Sequence, residues 1–236
     1  MSEPGGLLAF LVISLVFPVA WHQLKPSQSD YSGELYPLTA IVRFLYFAGI
    51  PYLAVLLGLL TLEQLGLTGL VYFNLIDWQA NLFLEFQQAA TLLLLSWLLD
   101  SGRAIVAGGS ALLLLGAFRW GLGQAGVRWQ LRDLSLVDII YLALHWAFYR
   151  AIFWAATGDL YLGVVLGSAA VMLEWALLTK MQHQPLLSQT SLLDIVILVL
   201  TATAFFFSPN LWLLLPFQWG MVALLARPPY VLDYSR

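Results

Sequence analysis

Two apolar runs joined by a three-residue break constrain this chain more than any other stretch. Residues 134–180 read LSLVDIIYLALHWAFYRAIFWAATGDLYLGVVLGSAAVMLEWALLTK, with the break at Thr157, Gly158 and Asp159. Each run reaches the roughly 20 helical residues that cross a hydrocarbon layer. Together they hold Asp138, His145, Arg150 and Glu174, groups that are costly to bury without a partner or water. Helical spacing sets Asp138, Tyr141, His145 and Tyr149 on one stripe, with Arg150 about 100° or more away from it. In the second run Gly163, Gly167, Ala170 and Glu174 share a face. Small residues let helix backbones approach closely in a membrane, so this face is expected to meet a neighbour, the preceding helix first. Counted from the break, His145 and Glu174 differ in depth by about three residues, or about 4.5 Å at 1.5 Å per residue. A contact between them is therefore allowed by depth.

Composition extends this reading to the whole chain. Of 236 residues, 61% are hydrophobic and 10% charged, with mean hydropathy +0.84; soluble domains are usually about 45–50% apolar and about 25% charged. The chain reads as an all-α, polytopic integral membrane bundle, a single transmembrane domain over residues 1–236. Nucleic-acid binding lacks its basic surface. The absence of cysteine excludes disulfides and thiolate chemistry. Ten Trp and ten Tyr, several near run ends, suit the headgroup zone.

The remaining runs complete the count. Residues 7–24 read as a retained helix rather than a signal peptide, because Glu3 replaces a basic start. The run at 37–60 contains Arg43 and Pro51, and Pro51 is expected to bend it by removing a backbone donor. Residues 61–80, with Gly66, Gly69, Asn74 and Asp77, suit an interfacial or re-entrant piece. Runs at 82–99, 104–120, 192–207 and 209–226 bring the expectation to about eight transmembrane helices. With eight, one side collects Arg119, Arg128, Arg132, Lys180, Arg227 and Arg236, against Lys25 and Arg103 on the other. The positive-inside rule then places both termini in the cytoplasm of a prokaryotic plasma membrane.

The same topology sets Glu85 at the depth of His145 and Glu174, with Arg43 and Arg150 nearer the outer side. Intramembrane ionisable groups are functional-site candidates by default. Two acids and an imidazole at one level could support proton transfer, water activation or metal binding, though no H-E-x-x-H, G-x-S-x-G or phosphate-loop motif occurs and no metal ligand set is assigned. Structural readings stand beside these. Asp138 could cap its helix within SLVD, Arg150 could snorkel or rest on an aromatic ring, and His145 could be an interhelical hydrogen-bonding residue or a tetrapyrrole ligand. His22 and His183 lie near run ends and read as structural.

HWAFYRA at 145–151, followed by GDLYLGVVLGSAAVMLEWA at 158–176, resembles the core of the CPBP or abortive-infection family of intramembrane glutamic proteases, over about 40 residues. Arg150 matches the arginine of that family's E-E-x-x-x-R motif, while His145 and Trp146 stand where its glutamates would be. The resemblance implies about eight helices, water activation by glutamate with histidines on neighbouring helices, and prenylated or hydrophobic peptide substrates. If the chain is an enzyme, Glu85, His145, Arg150 and Glu174 are the expected catalytic set.

Because paired acids are missing and no large extramembrane part exists, the first expectation is a noncatalytic accessory or assembly subunit of a membrane complex. Its partners would be the lipid bilayer and other membrane subunits. An altered CPBP-type protease is the alternative. A pigment- or quinone-binding subunit, with His145 as the cofactor-binding residue, is a further one. No particular cofactor follows from the residues.

Overall fold

The computed structural model describes residues 4–24, 36–68, 81–124, 134–181 and 189–225, and these are helical with turns and no strand. Helix α1 is Pro4–Leu24. A second rod, α2, is built from Tyr36–Phe44 and Ile50–Leu56 joined without a break by a π-helical turn, Leu45–Gly49. Then come α3, Leu82–Gln124; α4, Leu136–Thr157; α5, Leu160–Met181; α6, Gln189–Phe207; and α7, Leu211–Leu225. Four helical stretches are long and apolar enough to span a membrane, namely Thr39–Leu56, Leu82–Gly121, Leu136–Thr157 and Leu160–Met181. Exposed leucine, isoleucine, valine and phenylalanine side chains cover α1, α2, α3 and α5. This is the surface of a membrane protein, since hydrocarbon accepts what water would not.

The expected count of eight is corrected to seven among the described residues. The runs at 82–99 and 104–120 are one 43-residue helix, because Asp100, Ser101, Gly102 and Arg103 continue in α-helical conformation. No proline interrupts them, and a single glycine costs a helix only about 1 kcal/mol. At 1.5 Å per residue α3 is about 65 Å long, twice a hydrocarbon layer of about 30 Å. The shared side of the termini was reckoned from eight crossings, whereas four stretches among the described residues are long and apolar enough to cross.

Helix α4 is central. It packs against α5 most extensively, and also against α7, α2 and α1. Its start is a capping box: the Ser135 Oγ accepts the Asp138 N–H at 3.2 Å while the Asp138 carboxylate accepts the Ser135 N–H at 2.9 Å, satisfying end donors that a helix leaves open. It stops at Gly158, whose φ of +71° suits glycine and whose N–H reaches the Trp154 carbonyl at 2.8 Å. Asp159 then opens α5 by accepting the N–H groups of Tyr161 and Leu162 at 2.6 and 3.0 Å.

The small face of α5 turns onto α4 as expected. A Cβ on Gly163 would come within 2.7–2.9 Å of Trp154, and one on Gly167 within 2.6 Å of the Arg150 backbone nitrogen. Only the missing side chains allow this approach. Near Pro51 the helix stays continuous through the π turn, in which the Ile50 N–H bonds the Leu45 carbonyl. Pro51 lacks the N–H that an α-helix would use, and the extra residue absorbs the change of register. After Leu56 the chain leaves helix at Gly58, φ +70°, and residues 57–68 form turns that bury Leu60 and Leu65 against Phe148, Ala151 and Ile152. Irregular backbone is tolerated at such depth where protein covers it. Residues 61–68 are thus a packed turn segment; 69–80, with Asn74 and Asp77, lie outside the described residues.

Candidate functional site

The stripe on α4 faces α2 and α1, and each of its members finds a partner there. Asp138 pairs with Arg43, whose guanidinium also lies 5.2 Å from the Tyr141 ring centre. Tyr141 stacks on Phe47 at 5.5 Å. One turn deeper, His145 Nε2 lies 2.7 Å from Glu174 Oε2 of α5. Two turns deeper than Tyr141, Tyr149 accepts a hydrogen bond from Ser14 Oγ at 3.1 Å.

Tyr46 of the π turn ties these pieces together. Its hydroxyl is 2.9 Å from the Ser14 carbonyl oxygen, 3.2 Å from Glu174 Oε1 and 3.3 Å from His145 Nε2. Four helices, α1, α2, α4 and α5, therefore meet at one carboxylate and one imidazole. With the proton on His145 Nε2, that nitrogen donates to Glu174 Oε2, while the single Tyr46 hydroxyl proton is shared between Glu174 Oε1 and the Ser14 carbonyl. Rings close the surroundings: Phe17 stacks on Tyr46 at 5.0 Å, while Phe47 and Tyr149 stand edge-on to His145 at 5.2 and 4.9 Å. His145 is 3% exposed and Glu174 5%, so the pair is shut from solvent. Hydrogen bonds gain strength in such surroundings, and each member left without a partner would be costly.

The structure brings His145 and Glu174 together and leaves the other two expected site residues elsewhere. Arg150, on another face of α4, lies with its guanidinium carbon 4.7 Å from the Phe205 ring centre. Glu85 sits in the first turn of α3, about 28 Å along the helix axis from Ala104, where α3 enters the bundle. No contact joins it to His145 or Glu174 among the described residues. Nor is there, among those residues, a group of three His, Asp or Glu side chains placed to hold a metal ion. His183 and the side chain of His22 lie outside the described residues.

Tyr46 and Ser14 were not among the residues singled out from the sequence. Arg43, Tyr46 and Phe47 at i, i+3 and i+4 do share a helical face, which is a usable signal. Ser14 has none, being one hydroxyl in an apolar run. Chemically the arrangement can pass a proton between carboxylate and imidazole without any atom moving far, and its phenols hold both groups in place. His145 Nε2 is already occupied by Glu174 and Tyr46. No family model, curated protein or solved structure matches this chain.

Proposed function

We propose that this protein is a noncatalytic accessory or assembly subunit of a larger complex in a prokaryotic plasma membrane. The closed hydrogen-bond network around Glu174 is the observation that favours this reading. Its two oxygens face Tyr46 of α2 and His145 of α4, Tyr46 ties in Ser14 of α1, and the carboxylate is buried. A network of that kind fixes which helices meet, a recognised use of buried polar groups. The apolar, uncovered first half of α3 offers surface to other membrane subunits or to lipid. Extraction in mild detergent should yield the chain with other membrane proteins at fixed stoichiometry. A pure monomer that turns over a substrate would defeat the proposal.

The protease reading is supported by one observation, the carboxylate–imidazole pair at 2.7 Å within the stretch that resembles the CPBP family. Water would have to enter the network and displace Tyr46 or His145 from Glu174. That reading requires E174A and H145A each to abolish cleavage of a lipidated or hydrophobic peptide. A pigment or quinone at His145 would compete with Glu174 and Tyr46 if it used Nε2, and an ultraviolet–visible absorption spectrum of the purified chain tests it directly.

A further inference from the structure

Three further buried polar residues lie outside the Glu174 network and carry atoms with no partner among the described residues. Arg150 is 3% exposed, and among the described residues its Nε and Nη1 have no hydrogen-bond partner. Ser208 and Asn210, both fully buried in the turn between α6 and α7, leave the serine hydroxyl and both ends of the asparagine amide unpaired. Phe205 of α6, one turn before Ser208, links them along the chain. Arg150 rests on Phe205 at 4.7 Å. The same ring and the backbone nitrogen of Leu211 lie 2.8 and 3.2 Å from where a Gly66 Cβ would stand.

Asn210 also opens α7, since its carbonyl accepts the Leu214 N–H at 3.1 Å. Its side chain nonetheless does not cap the helix, although asparagine is among the best residues for doing so. The Leu211 N–H is taken by the Gly66 carbonyl at 2.7 Å. The positive end of this 15-residue helix lies beside Gly66 and the edge of the Phe205 ring on which Arg150 rests. Arginine can only donate, and serine and asparagine can both donate. A donor-rich, positively charged setting in an apolar interior calls for an acceptor carrying negative charge.

We infer that Arg150, Ser208, Asn210 and the start of α7 bind an oxyanion, a phosphate or a carboxylate, carried by an anionic lipid or by a free small anion. The site is near the bundle end formed by the Gly158 and Ser208–Asn210 turns. Arg150 lies about 12 Å below the Gly158 turn, within reach of a headgroup drawn in from the interface. This inference goes beyond the accessory reading and does not depend on it.

The full chain, purified in neutral detergent, would be melted with increasing inorganic phosphate or acetate against chloride at equal ionic strength. It would also be melted in discs of zwitterionic lipid with and without phosphatidylglycerol. A ligand that binds only the folded state raises Tm with its concentration. The expected result is a saturable rise that is absent with chloride. A rise with free phosphate or acetate identifies the small anion, and a rise only with phosphatidylglycerol identifies the lipid. N210A and S208A remove donors without touching the charge, and each should weaken the effect about tenfold. R150K should retain part of it and R150Q none. The inference is overturned if neither the anions nor the lipid shift Tm, or if R150Q or N210A responds as the unaltered chain does.

Discussion

Helices α3 and α4 are both apolar enough to span a membrane, yet 56% of α4's spanning window is buried and 6% of α3's. Hydrophobicity does not separate them. In water both would be driven into a core, but in hydrocarbon leucine gains little by leaving lipid for protein. What draws α4 inward is the remainder of its sequence. His145, Tyr149 and Asp138 need hydrogen-bond partners, and α5 offers Gly163 and Gly167 for close approach. Helix α3 offers leucine and phenylalanine on most sides. Between residues 82 and 103 only Ala89 is buried. Where α3 does enter the bundle, it does so through Ala104, Gly108, Ala111 and Leu115, with Gly108 against the Phe217 ring. That stripe is small-residue packing on a modest scale.

The comparison breaks most sharply at Gly167. Replacing it with leucine drives a side chain into the Arg150 backbone, and we expect loss of about 3 kcal/mol or more, read as unfolding in mixed-micelle denaturation. The matching change on α3, G109A, meets nothing within 4 Å and should be neutral or stabilising by up to about 1 kcal/mol. Equal losses would show that α3 is as tightly held as α4.

Next in size are the single variants H145L and E174L, each of which strands a buried polar partner. About 3 kcal/mol apiece is expected. The double variant should recover at least half of the summed loss, because neither orphan remains. Additive losses would mean that the two residues act separately. Y46F removes one hydroxyl from the same network, at about 1 kcal/mol, by the same denaturation measurement.

The smallest thermodynamic effect belongs to the first half of α3. L98S should shift stability by less than about 0.5 kcal/mol in detergent, as surface changes do. Location is the sharper test there. The chain has no cysteine, so F83C and L94C can be probed singly. In native membranes both should resist a membrane-impermeant maleimide and react after detergent extraction. Rapid labelling in intact membranes would put that half of α3 in water and require a protein partner to cover it.

Much of α4 and α5 was readable beforehand because local chemistry specified it. The SLVD start, the Gly158 stop, the aromatic and acidic stripe and the small face all follow from spacing alone. The eight-helix count failed at Asp100–Arg103, where two charges and a glycine resemble a turn but keep helical hydrogen bonds. The expected convergence of Glu85 with His145 and Glu174 depended on that turn, so the two ends of α3 are far apart where a hairpin would have folded them together. Tyr46 was hidden for another reason. Its helical face, shared with Arg43 and Phe47, was legible, but nothing local shows that this face meets Ser14, His145 and Glu174 from three other helices.

Residue chemistry alone determined that this chain is helical and greasy, where α4 and α5 begin and end, and which of their faces seek neighbours. Those properties depend on contacts within a turn or two of the chain. Tertiary structure decided which acid reaches His145, that a tyrosine from α2 and a serine from α1 complete the network, and that Arg150 rests on Phe205, 55 residues further along the sequence. Rotation and register between helices are set by the packing of many side chains at once, and no local pattern records them.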